Sequence, residues 1–404
     1  MKTKKLLLST FVMLLLLTNC SALKTFKLMK SGEVEQKEFN VNIPFEYRLG
    51  MIILKVNISG KAYDFLLDTG APNVISKELA QKEGLNNIFE QKFGDSQGQT
   101  SDLGMIKLDK ISIGGIDFLN TGAAIADLKQ SKEVGCLEID GFIGSNLMKN
   151  AVWKFDLQNQ IITISNSAAS LNIPESSKKI PFFTHITGTP IIDIALNDVK
   201  EKNVIVDLGS NGDISLSKKT FNKLVDTDPS ISRTVSFGPS SSGLYGVGAT
   251  DSIQHALISN ISFGDVALKN VVVEFTNESS STIGTNYFKN YNLIINWFEK
   301  EIILTKKKEY DNSSLSSYGF SIGNKDDRLI VGGILTNSSA AIKGLKINDI
   351  ILKIDSENYG VLTTDHWCHI VENGLFNEEK STITVIVLRQ NKKLTFSLEK
   401  TKLL

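Results

Sequence analysis

The chain has 404 residues, 41% of them apolar and 22% charged, and its 44 Lys and Arg balance its 44 Asp and Glu. That length holds two or three domains, each large enough to bury a core. The charge balance leaves no basic excess for nucleic acid, and three cysteines are too few for a disulfide-built scaffold.

The N-terminus reads as an export signal. Lys2, Lys4 and Lys5 precede an apolar run from Leu6 to Leu17, too short to span a bilayer comfortably. Leu17-Thr18-Asn19-Cys20-Ser21 resembles a bacterial lipobox, although Asn19 stands where a small residue is usual. The resemblance implies a lipid on Cys20, and with it a membrane anchor in the cell envelope. Ordinary cleavage near Ala22, releasing a soluble exported protein, is the alternative. Residues 1–20 are therefore read as signal, and the polar, Lys- and Glu-rich stretch 21–40 as a tether. No later segment reads as transmembrane.

From Tyr47 the pattern alternates as strands do, with Met51–Ile58 and Ala62–Leu67 around a Ser59-Gly60-Lys61 turn. Met105–Ile113 and Ile161–Ile164 read as further strands. Residues 41–170 form a β-rich first lobe, and a polar segment separates it from a second, 178–306, that repeats its plan. There Ile191–Leu196 and Val204–Val206 precede an aspartate, and Ile258–Phe263 with Val266–Phe275 reads as a hairpin.

The repeat is explicit in two motifs. Phe65-Leu66-Leu67-Asp68-Thr69-Gly70-Ala71 returns 139 residues later as Val204-Ile205-Val206-Asp207-Leu208-Gly209-Ser210. Phe142-Ile143-Gly144-Ser145-Asn146 returns at nearly the same offset as Thr282-Ile283-Gly284-Thr285-Asn286. Two features in one order at one spacing indicate a duplicated lobe. Three apolar residues put each aspartate at the end of a buried strand, and the glycine permits a sharp turn that exposes amides to the carboxylate. Facing carboxylates cannot both ionise comfortably, so they share a proton and can activate a water between them.

These residues resemble the retropepsin-like and pepsin-like aspartic protease superfamily over about residues 45–305. The resemblance implies a mainly β fold, with two β-barrel lobes and an active site between them. It implies Asp68 and Asp207 as the catalytic pair, with Thr69, Gly70, Ala71, Gly209 and Ser210 supporting them. Leu208 departs from the family's Thr or Ser, so Thr69 is expected to find only a backbone partner. The family closes its cleft with hairpin flaps; Phe93–Gly104 and Phe237–Gly248 are candidates, with plain surface loops as the alternative.

A Lys- and Ser-rich stretch, 307–316, reads as a linker to a small α+β domain, 317–402. Leu329–Val331, Ile350–Ile354, Ile383–Leu388 and Lys393–Leu398 read as strands, and a helix is expected to begin near Thr363-Thr364-Asp365. Tyr318-Gly319-Phe320-Ser321-Ile322, with the later run from Ser338 to Ile351, resembles a bacterial PDZ domain. That implies a loop at Tyr318, Gly319, Phe320, Ser321 and Ile322 receiving a peptide, or its terminal carboxylate, as an added strand. His366 and His369 lack further metal ligands. Cys136 and Cys368 fall in different predicted domains and are expected to remain unpaired.

The sequence thus reads as an exported, lipid-anchored aspartic endopeptidase acting on polypeptides, with no cofactor or metal and a domain that presents substrate or gates access. The rival is an inactive envelope protein that binds peptides through the cleft and the groove. A dimer of first lobes is a third arrangement, which the second aspartate makes unnecessary.

Overall fold

A computed structural model describes residues 23–376 and 379–404; the signal segment and Cys20 lie outside the described residues. The fold is mainly β, with half of the residues in strands. The first lobe opens with a hairpin of strands Met51–Ile58 and Lys61–Asp68 paired antiparallel, alternating in burial from Leu54 to Ile58 and buried on both faces over Ile52–Leu54 and Phe65–Leu67. Ser59 and Gly60 both take positive φ at its tip. The second lobe opens likewise with Pro190–Leu196 and Val199–Asp207.

In each lobe the aspartate-bearing strand is joined by a parallel partner that returns from far along the chain. Gly141–Gly144 lies beside Phe65–Asp68, so that Gly144 pairs with Asp68. Thr282–Gly284 lies beside Ile205–Asp207, so that Gly284 pairs with Asp207. The downstream motif is therefore the neighbour of the upstream one in space. The two lobes meet in one six-stranded antiparallel sheet, where Val152–Asp156 of the first pairs with Tyr291–Asn296 of the second. The apolar faces of both lobes merge into a single core around Trp153, Phe155, Tyr287 and Phe288.

Two stretches expected to be free are folded onto the lobes. Residues 23–30 are helical, and Leu28 and Met29 are buried. Residues 307–312 lie along the second lobe: Lys307 and Lys308 donate their amides to the Asn290 carbonyl, and the Tyr310 ring meets Tyr287 edge-on at 4.9 Å. Composition is polar in both stretches, but a few apolar side chains anchor them.

The C-terminal domain has its own core, centred on Leu329, Val331, Ile351, Val385 and Val387. Its helix runs Thr364–Asn373, with Thr363 capping the first turn as expected. Strand Arg328–Leu335 also pairs with Arg233–Gly238 of the second lobe, through Phe237–Ile334 and Ser236–Leu335. One sheet thus runs from lobe to domain.

The expectation of two free thiols is overturned: Cys136, beside the short helix Lys132–Gly135 of the first lobe, is disulfide-bonded to Cys368 on the domain's helix. Assignment to different domains concealed the pair, because the docking that brings the two cysteines together is tertiary. Lys132 strengthens the same junction with an ion pair to Asp327 at 2.7 Å. Closing a loop of 232 residues stabilises by at most about 5 kcal/mol on chain-entropy grounds. Titration of the denatured, unreduced chain from residue 23 onward is expected to find no free thiol, and Cys136→Ser to speed amide exchange in both helices. Two free thiols would contradict the junction.

Candidate active site

Asp68 and Asp207 end the two central strands, and the loops that follow press against each other. A Cβ placed on Gly70 would lie 2.8 Å from Asp207 Cγ, and one on Gly209 would lie 2.4 Å from Asp68 Cγ. Any side chain there would collide with the opposite lobe's carboxylate. Both glycines of the motif are thus required by close approach, and the carboxylates converge within a single chain, so no second copy is needed.

Each carboxylate is cradled by its own loop. Asp68 Oδ1 accepts from the amides of Gly70 at 2.8 Å and Ala71 at 3.0 Å. Asp207 Oδ1 accepts from the Gly209 amide at 2.9 Å. Ser210 uses its amide on the Asp207 carbonyl at 3.4 Å, and its hydroxyl accepts from the Gly212 amide.

Thr69 binds the two loops together. It is fully buried; its hydroxyl donates to the Val206 carbonyl at 2.6 Å and accepts from the Leu208 amide at 2.9 Å. The sequence expectation of a backbone partner holds, and there are two. Leu208 cannot reciprocate with a hydroxyl; its side chain is fully buried in the shared core instead. A hydrogen bond of this kind contributes about 1 kcal/mol, and leaving either backbone group unpaired costs more.

Two supporting residues were part of the repeated motif but carried no predicted role. Ser145 donates to the Thr69 carbonyl at 2.6 Å, and Thr285 donates to the Leu208 carbonyl at 3.0 Å. Their equivalence under the repeat, a hydroxyl at the same place in both copies, was the available signal. Asn73 adds a side-chain bond to the Gly144 amide at 2.7 Å, tying motif to motif in the first lobe.

Both flap candidates are hairpins rather than plain loops. Phe89–Gly94 pairs with Thr100–Ile113, and Arg233–Gly238 pairs with Asp251–Phe263. Their tips interlock with each other and with the loop that follows Val266–Thr276. Asp95 accepts from the Tyr245 amide at 3.2 Å, Gln97 reaches Ser241 and Glu278, and Ser279 donates to the Ser96 carbonyl at 3.0 Å. Leu244 and Tyr245 of the second tip pack against an apolar cluster of the first lobe that includes Leu66, Phe142 and Ala71.

Residues Tyr318 to Ile322 belong to the C-terminal domain, with Tyr318 and Phe320 in its core and not in the lobes'. Gly319 has φ +101°, and the Phe376 ring meets Tyr318 at a tilt and Phe320 edge-on, with centroids at 5.4 and 5.1 Å. Strand Phe320–Lys325 pairs on one side only, with Arg328–Leu335, among the described residues. Cys368, between the two histidines considered as metal ligands, is spent in the disulfide.

Residues 54–147 match the family model described as aspartyl protease. The match covers the first lobe's aspartate loop and its Gly144 partner, and it supports hydrolysis of peptides as the general activity. No curated protein matches the chain.

Burial raises the pKa of both carboxylates, and the proximity of Asp68 raises Asp207 well above its ordinary value. Amide donors temper the rise in both loops, Gly70 and Ala71 at Asp68 and Gly209 and Ser210 at Asp207, and a hydrogen bond between the two side chains lowers Asp68 while raising Asp207. A carboxyl whose pKa is raised on folding binds its proton more tightly in the native state, so its effect on stability becomes unfavourable as pH rises past the unfolded value. Asp207→Asn is therefore expected to raise the melting temperature at neutral pH, with the gain shrinking toward acid where the unfolded carboxyl is protonated. An unchanged melting temperature at every pH would contradict the raised pKa.

Proposed function

We propose that the protein is an exported aspartic endopeptidase that hydrolyses peptide bonds with a water activated between Asp68 and Asp207. The observation that carries this reading is the mutual packing of the two Asp-Xaa-Gly loops, which brings the carboxylates together and favours a shared proton. Asp68, ionised, takes a proton from the water as its oxygen attacks the carbonyl carbon. Asp207, protonated, gives its proton to the carbonyl oxygen. When the resulting diol collapses, the C–N bond breaks, Asp68 passes its proton to the leaving amine and Asp207 recovers one from the diol.

The interlocked hairpins support an enclosed cleft that excludes bulk water during these transfers. The C-terminal domain is read as a PDZ module, with Phe320–Lys325 as the edge to which a peptide adds. The N-terminal signal and Cys20 support export and a lipid anchor in a bacterial envelope. The rival reading, a peptide binder without activity, has less support, because Thr69 reaches two backbone partners despite Leu208.

Asp68→Asn and Asp207→Asn are each expected to abolish cleavage of a diverse peptide library. The unmodified chain should give a bell-shaped dependence of kcat/KM on pH, with both limbs above the ordinary carboxylate range, since both pKa values are raised. Activity that survives either substitution, or that climbs steadily into alkali, would refute the shared-proton mechanism.

A further inference from the structure

The duplication lets the two walls of the cleft be compared position by position. Leu66 lies two residues before Asp68 on its strand, so its side chain shares the face from which the carboxylate projects. Residues paired directly across a sheet also share a face. In the first lobe the pairings run Ile53, Leu66, Phe142, Val74, Ala124, Met105. In the second lobe the same pairings run Ile191, Ile205, Thr282, Ser215, Glu274, His255.

The first row is wholly apolar and buried, belonging to the cluster against which Leu244 and Tyr245 pack. The second row is polar from Thr282 onward, and its members after Ile191 are half-buried rather than closed over. Glu274 stands where the first lobe has Ala124. Among the described residues no hydrogen bond or ion pair holds its carboxylate. A carboxylate withdrawn from water without a partner is costly, and the apolar solution was available in the other copy of the same fold.

We propose, resting on the peptidase reading, that the second lobe's wall is a subsite for a cationic substrate side chain, with Glu274 as its specificity-determining residue. The first lobe's wall takes a large apolar side chain, in the place now held by Leu244 and Tyr245. The surroundings favour a cation. Glu278 and Asp213 lie close enough to act on Glu274 through their charge, and burial together with these neighbours raises its pKa to about 7. His255, its cross-strand neighbour, is no counter-ion: burial lowers its pKa to about 4, and its Nε2 lies 2.9 Å from Ser236 Oγ. A lysine or arginine entering here would meet the negative potential of Glu278 and Asp213 and would displace the proton that the raised pKa otherwise keeps on Glu274.

The test is binding of fluorescein-labelled octapeptides to the chain from residue 21 onward carrying Asp68→Asn, read by anisotropy. Each peptide has a central Phe, with Lys or Met placed in turn at each flanking position. For at least one position the Lys peptide is expected to bind about tenfold tighter than its Met partner, the scale of one charged hydrogen bond. Glu274→Gln should erase that ratio, and acetylating the peptide's lysine should erase it without any change to the protein. Equal or better binding of Met at every position, a Lys preference that survives both changes, or no binding of any peptide would overturn the proposal. Binding needs no turnover, so its failure is distinct from failure of the peptidase reading, which cleavage by the unmodified chain decides.

Discussion

Everything at the centre of this molecule depends on two loops pressed together closely enough that neither can carry a Cβ at its glycine. That contact puts each glycine against the other lobe's carboxylate. It forces two acids into one poorly solvated space, where mutual repulsion and burial both favour retaining a proton. Thr69 makes the arrangement hold by satisfying a carbonyl and an amide of the opposite loop with one hydroxyl. The shared six-stranded sheet fixes the lobes around it.

The two halves keep the same scaffold and differ in the residues on the sheet face that the aspartates share. Ser145 and Thr285 hold the aspartate loops in the same way, and Gly144 and Gly284 occupy the same ladder positions. Beyond that frame the first lobe has Val74, Ala124 and Phe142 at ladder positions where the second has Ser215, Glu274 and Thr282. A fold built twice in one chain is free to diverge in this way, because each copy of a position mutates independently. The hairpins and the C-terminal domain are similarly one-sided: among the described residues the second lobe's hairpin strand continues into the domain's sheet, whereas the first lobe reaches the domain's helix through Cys136.

The strands and the aspartate pair were legible in the sequence because both rest on local regularities. Alternation marks Met51–Ile58 as a strand, the hairpin pattern marks Val266–Phe275 as another, and repetition singles out Asp68 and Asp207 from other acidic residues. Thr363 likewise announced its helix through capping chemistry. The failures share a different cause. The Cys136–Cys368 bond joins residues 232 positions apart, and only the docking of whole domains makes them neighbours. The supposed tether and linker were judged by overall polarity, whereas a few side chains, Leu28, Met29 and Tyr310 among them, determine where they lie. The hairpin tips are polar and Gly-rich, as ordinary surface loops are, and their mutual hydrogen bonds have no signature in one dimension.

The central claim is that Asp68 and Asp207 hold one proton between them. Carbon-13 carboxyl NMR on the aspartate-labelled chain, titrated from acid to neutral pH with Asp68→Asn and Asp207→Asn used for assignment, measures that directly. Two coupled steps are expected, one of them well above the ordinary carboxylate range, with each substitution changing the titration of the residue that remains. Two independent titrations near the ordinary value, each indifferent to loss of the other, would contradict it.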